Sequence, residues 1–160
     1  MAADLIWTTA ATPLGALTIV GSEDGIRATE LGDAARLVDD FGARRADAAL
    51  AVARTDVEAY FAGDLKAFRT PVDLSFADGF ARDVYAATIE VPYGELRTYG
   101  DVAAAAGRPR AFRAAGTALR HCPIELWIPC HRVVPAGPGF GTYGGHPERR
   151  EFLLRLERAI

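Results

Sequence analysis

The sequence predicts an α+β chain: a small strand-led domain over residues 1–75, then a mostly helical domain over residues 76–160. Three short apolar runs near the N-terminus, Leu5–Thr9, Ala16–Val20 and Ile26–Leu31, are parted by Thr12-Pro13-Leu14-Gly15 and Ser22-Glu23-Asp24-Gly25, both turn compositions. From about Phe76 the apolar residues recur at helical spacing instead. Charge divides the chain near the same point. Residues 1–80 carry 7 basic and 13 acidic side chains, net −6, whereas residues 81–160 carry 11 and 8, net +3.

In the first domain, Asp33–Phe41 reads as a short helix. Ala46–Phe61 has helical spacing, with Leu50, Val57, Tyr60 and Phe61 on an apolar face and Gly63 as its stop. Phe68–Leu74 reads as a further strand, and no grouping of reactive side chains stands out before it.

The second domain opens with a helix over Phe80–Ile89, placing Phe80, Val84, Tyr85 and Ile89 on one side, closed by a turn at Val91-Pro92-Tyr93-Gly94. Thr98 suits an N-cap for a helix through Ala106, with Asp101 as the reciprocal partner of a capping box. Gly107-Arg108-Pro109 interrupts the chain. A helix over Arg110–Arg120 then sets Arg110, Arg113 and Arg120 beside Ala111, Ala114, Ala115, Gly116 and Ala118. Two short helices with a tight turn, the second small-faced and arginine-edged, fit a helix-turn-helix, since small side chains let a helix approach a groove closely. A packed helical hairpin fits the same residues. Leu126–Ile128 reads as a short strand ended by Pro129, Gly137–Gly145 as a glycine-rich loop, and the last helix runs from Pro147 to near Glu157 with Phe152, Leu153 and Leu156 inward.

Several classes are disfavoured. No uninterrupted apolar stretch of about eighteen residues occurs, so no membrane span is expected. The opening residues lack a basic segment followed by a long apolar one, so no secretory signal is expected. Two cysteines do not make a disulfide framework, which points to a reducing cytoplasm. The net charge of −3 argues against nucleic acid as a partner, yet residues 93–132 hold six arginines against Glu95, Asp101 and Glu125, and the local field decides docking on phosphates.

The most informative stretch is Trp127-Ile128-Pro129-Cys130-His131-Arg132-Val133-Val134. A thiolate is the useful nucleophile, and a cationic or basic neighbour favours it. Adjacent residues of a straight strand face opposite ways, so Cys130 and His131 work together only through a turn after Pro129 or a bridging water. A histidine acting as base needs an acceptor on its other nitrogen, and Glu157 on the last helix is a candidate. Arg132 reads as structural. His121, Cys122, Cys130 and His131 form adjacent pairs, a poor spacing for zinc, so no metal is expected. A Cys122–Cys130 disulfide is disfavoured by the compartment.

Pro129-Cys130-His131-Arg132-Val133 resembles the active-site motif of the O6-alkylguanine-DNA alkyltransferases, the methylated-DNA–protein-cysteine methyltransferases. The resemblance extends to Arg113-Ala114-Ala115-Gly116 and Pro123, to Pro92-Tyr93-Gly94 with Tyr99-Gly100, to Gly141-Thr142-Tyr143-Gly144-Gly145, and to Arg150, Leu153-Leu154 and Glu157. It is looser over the first 75 residues. It implies a ribonuclease H-like first domain and a winged-helix-like helix-turn-helix second domain. It also implies a single-turnover repair protein that moves the alkyl group of O6-alkylguanine, and of O4-alkylthymine, in duplex DNA onto Cys130, with no cofactor. Cys130 is then the alkyl acceptor, His131 its base through a water and Glu157 the histidine's anchor. Arg113 is the finger that fills the gap left by an extruded base, on a helix whose Ala114 and Gly116 approach the DNA. Tyr99 pushes the phosphate backbone and assists proton donation to the guanine oxygen. Trp127, Val133, Tyr143 and Gly144 surround the extruded base. A cytoplasmic monomer is implied, with cooperative assembly on DNA left open.

Two positions depart from the family pattern: Cys122 stands where asparagine usually precedes Pro123, and Gly144 where serine is sometimes found. Cysteine is a weak donor and acceptor, so a looser turn is expected there. Two other classes share some of these features: a non-catalytic lesion-binding protein, disfavoured by the presence of Cys130, and a helix-turn-helix regulator, disfavoured by the lack of an effector or dimerisation segment.

Overall fold

The computed structural model describes residues 4–139, 141 and 145–160. The chain forms two compact units, one from residues 1–73 with 123–127, the other from residues 74–122 with 128–160. The segment between Cys122 and Ile128 thus belongs to the first unit although the chain around it belongs to the second.

The first unit is a four-stranded mixed sheet in the order β3 (Gly25–Leu31), β2 (Gly15–Ser22), β1 (Ile6–Thr12), β4 (Arg44–Arg45). Strands β1 (Ile6–Thr12) and β2 (Gly15–Ser22) form an antiparallel hairpin, and β3 (Gly25–Leu31) continues it. In β1, Ile6, Thr8 and Ala10 alternate inward. In β2 the run Leu17–Gly21 is buried without alternation, as expected of an inner strand. Helix α1 spans Ala35–Phe41 and α2 spans Ala51–Phe61. Ala53, Asp56, Val57 and Tyr60 recur at helical spacing on the buried side of α2, which packs on β1.

Two expectations fail in this unit. Phe68–Leu74 is no strand; only Val72 bridges to Ile26. Side chains and proline decide against it. Phe68 stacks on Tyr60 at 5.5 Å and on Trp127 at 4.7 Å. Arg69 is tied down by buried Asp56, which accepts from its Nε at 2.8 Å, its Nη2 at 2.7 Å and its backbone N at 2.8 Å. Pro71 has no N–H to give, but its carbonyl accepts from Ile26 N at 2.9 Å. This approach requires glycine at position 25, where φ is +130° and a Cβ would lie 2.5 Å from the Pro71 oxygen. The fourth strand, β4, is Arg44–Arg45, parallel to β1. The strand expected over Leu126–Ile128 is also absent. Leu126 has φ 73°, and the segment is held by Thr29, whose N donates to Pro123 O at 2.9 Å and whose Oγ1 accepts from Glu125 N at 2.8 Å.

The second unit is mostly helical: α3 (Gly79–Ile89), α4 (Tyr99–Ala105), α5 (Phe112–Arg120) and α6 (Pro147–Leu156). A two-residue parallel ladder joins β5 (Arg97–Thr98) to β6 (Val133–Val134). The capping box forms at α4: Thr98 Oγ1 accepts from Asp101 N at 3.0 Å, and Asp101 Oδ2 accepts from Thr98 N at 2.9 Å. Tyr85 on α3 donates its hydroxyl to Ala118 O on α5 at 2.8 Å, fixing one helix against the other. On α6 the inward residues are Arg150, Leu153 and Leu154, whereas Phe152 is 36% exposed and Leu156 half-buried. The inward stripe is therefore displaced by one residue from that expected.

Candidate active site

Pro129 ends the approach, and Cys130–Arg132 turn as one round of 3-10 helix. Cys130 N donates to Ile128 O at 2.7 Å and Arg132 N to Pro129 O at 2.9 Å. A turn thus replaces the straight strand in which Cys130 and His131 would diverge. Both side chains are buried, Cys130 at 4% exposure and His131 at 0%.

The polar centre of the site is Glu157, at the C-terminal end of α6. Its Oε2 lies 2.6 Å from His131 Nε2 and accepts from Arg132 Nη2 at 3.0 Å. Its Oε1 accepts from Arg132 Nε at 2.8 Å and from Gly94 N at 3.2 Å. Arg132 also donates Nη1 to Val91 O at 2.8 Å, and its guanidinium lies over the Tyr93 ring at 5.6 Å. Such forked pairing is what lets a carboxylate and a guanidinium share a dry interior. Burial is the largest influence on His131 and lowers its pKa below the ordinary value; Glu157 opposes this, and the charges of Arg132 and Arg150 reinforce it. The ring is accordingly neutral near pH 7. With Glu157 as acceptor, the proton of that neutral ring sits on Nε2. Nδ1 then carries a lone pair, and it is buried with no hydrogen-bond partner among the described residues.

Tyr85 stands close by: burial first, then its electrostatic interaction with the Cys122 and Cys130 sulfurs, pushes its phenol up to about 12. It remains protonated and keeps its bond to Ala118.

Helix α5 presents Arg113, Ala114, Thr117 and Arg120 to water. Gly116 backs onto the Tyr99 ring, with 3.8 Å from a would-be Cβ to the nearest ring atom. Tyr99 OH accepts from Arg150 Nη2 at 3.3 Å. α4 and α5 pack with a tight turn between them, as a helix-turn-helix requires.

Residues 79–159 match the family model for the DNA binding domain of 6-O-methylguanine DNA methyltransferase, and residues 5–74 match that for its ribonuclease-like domain. The chain belongs to the 6-O-methylguanine DNA methyltransferase family. Among relatives, the methylated-DNA–protein-cysteine methyltransferase of Mycolicibacterium paratuberculosis is 38% identical over 152 residues, covering 95% of this chain and 92% of that protein. The crystal structure of Mycobacterium tuberculosis O6-methylguanine methyltransferase matches with TM-score 0.84 at 33% identity, covering 97% of this chain and 93% of that one. That of Mycobacterium tuberculosis OGT in complex with DNA matches with TM-score 0.83 at 33% identity, covering 96% and 93%.

The resemblance read from the sequence is thus confirmed, as is the α+β fold class of the methyltransferase. The structure brings Cys130, His131 and Glu157 into one neighbourhood of the second unit and sets Tyr99 against Gly116 and Arg150. Val133 is buried in β6. Trp127 belongs to the first unit, buried against Phe68, with no hydrogen-bond partner for its Nε1 among the described residues. Tyr143 and Gly144 lie outside the described residues. Cys122, just past the end of α5, is half-buried, its N donating to Leu119 O at 3.2 Å.

Sequence reasoning set Arg132 aside as structural and passed over the Gly94 amide and the Val91 carbonyl. Arg132 and the Gly94 amide make Glu157 a shared acceptor instead of a histidine's private one, and the Val91 carbonyl accepts from Arg132 Nη1. One signal was available: an arginine directly after Cys130-His131, with one interior carboxylate expected, suggests that both side chains seek it.

Proposed function

We propose that this methyltransferase repairs DNA by transferring the alkyl group of O6-alkylguanine, and of O4-alkylthymine, in a duplex to the sulfur of Cys130. The observation that carries the reading is the state of His131: Nε2 is committed to Glu157 and Nδ1 is left as a buried lone pair. A neutral imidazole so held takes the thiol proton, directly or through one water. The thiolate attacks the alkyl carbon, forming an S–C bond as the C–O6 bond breaks, and the electron pair leaves on guanine. Hydrogen bonding at that oxygen, a role proposed for Tyr99, eases the departure. The thioether product has no hydrolytic exit, so each molecule acts once, as a monomer in the cytoplasm and without a cofactor.

A base inside the stack is out of reach and must be extruded, at a cost of a few kcal/mol. Arg113 then fills the gap, as inserted side chains do elsewhere, and its exposure on a helix with small neighbours supports that reading. Arg113→Ala should therefore slow duplex repair much more than reaction with free O6-benzylguanine; equal losses would assign Arg113 to the chemistry or the fold. The function itself is tested on the DNA. Nucleoside analysis after incubation with an O6-methylguanine duplex should show one guanine restored per protein molecule and none with Cys130→Ala. Restoration by Cys130→Ala, or many guanines per molecule, would refute it.

A further inference from the structure

Phe112 breaks the pattern of the helix that carries it. The exposed side of α5 otherwise consists of arginine, alanine and threonine, yet Phe112 at its first position leaves 49% of its surface in water. It directly precedes Arg113 and lies one turn before Gly116, so the ring shares the side of α5 that meets Tyr99. Successive helical residues diverge by about 100°, which puts the phenyl ring and the Arg113 guanidinium on adjoining flanks of one helix end. From Val102 to Ile124 the chain holds Arg108, Arg110, Arg113 and Arg120 and not one acidic residue. All four arginines are exposed.

This charge selects the occupant. An apolar ring in a field of arginines faces a polyanion with apolar surface between its charges, and duplex DNA is that: phosphates flank sugars and base edges. We infer that Phe112 is a positioning residue that packs against the duplex beside the gap filled by Arg113, holding the strand open while the extruded base reacts. The inference deepens the proposed function and rests on it. Apolar side chains inserted at a base step unstack and bend the duplex. Their contribution does not depend on counterion release, unlike that of the arginines.

The test compares the full chain with its Phe112→Ala, Phe112→Leu and Arg120→Ala variants. Covering half a phenylalanine changes affinity by about five- to tenfold. Phe112→Ala should weaken binding to an O6-methylguanine duplex by that factor at every salt concentration, with an unchanged slope of affinity against salt. Arg120→Ala should instead lower the slope by about one. Phe112→Leu should recover part of the loss. Repair of the duplex by Phe112→Ala should fall at least about fivefold further than reaction with free O6-benzylguanine. Duplex binding and repair like the parent's would overturn the inference, as would equal losses on duplex and free base. Should the parent transfer no methyl at all, the proposed function fails, while the affinities still decide whether Phe112 touches DNA.

Discussion

Glu157 joins the three polar partners of the site, so removing its charge tests how they depend on one another. Glu157→Gln would leave Arg132 buried without its counter-charge and a single acceptor oxygen where two now serve His131, Arg132 and the Gly94 amide. Breaking a buried pair at one partner costs about 3–5 kcal/mol. Urea unfolding of this variant should show a loss of about that size, and alkyl transfer should slow by about 10²-fold. His131 makes a second prediction at this scale. Its folded pKa lies below the ordinary value, chiefly through burial. As pH falls below about 6.5, the unfolded chain takes a proton that the folded chain refuses. Stability should then decline with falling pH by up to about 1.4 kcal/mol per pH unit from this group, until the folded pKa is reached. His131→Gln should remove that part of the slope. The acid limb of the reaction with free O6-benzylguanine should likewise lie below pH 6.5; a limb centred above it would show a histidine stabilised in its charged form.

Among the elements, those with local causes were legible and those with distant ones were not. The box at α4 needs only Thr98 and Asp101, three residues apart, and it forms as read. The turn at Cys130 follows from Pro129. Strand β4 is two arginines with no apolar alternation, and only its pairing with β1 makes it a strand. Phe68–Leu74 has the composition of a strand, but Asp56 and Tyr60 on α2 claim Arg69 and Phe68. Helix α6 ends near Glu157, as read, but the form of its cap was not legible: Arg158 adopts φ 58°, the left-handed conformation usually given to glycine. There its N donates to Arg155 O at 3.0 Å and Ala159 N to Leu154 O at 2.8 Å. Arg158 is exposed, so Arg158→Gly should raise stability by about 1 kcal/mol in thermal unfolding.

At the scale of the whole molecule, the division into a sheet unit and a helical unit was legible because apolar periodicity and charge both change near residue 76. What no linear reading shows is that residues 123–127 belong to the first unit, since that depends on Thr29, almost a hundred residues earlier. The site was legible in part. Its nucleophile and histidine sit in five consecutive residues, whereas the carboxylate is 26 residues away and the Gly94 amide 63 residues from it. In the proposed reaction the molecule itself is the final acceptor of the alkyl group. Peptide mass spectrometry after incubation with excess O6-methylguanine duplex tests it most directly. One added methyl should appear, on Cys130, reaching one per molecule and no more. Methyl on Cys122 or elsewhere with Cys130 unmodified, or a protein that emerges unchanged after restoring many guanines, would contradict it.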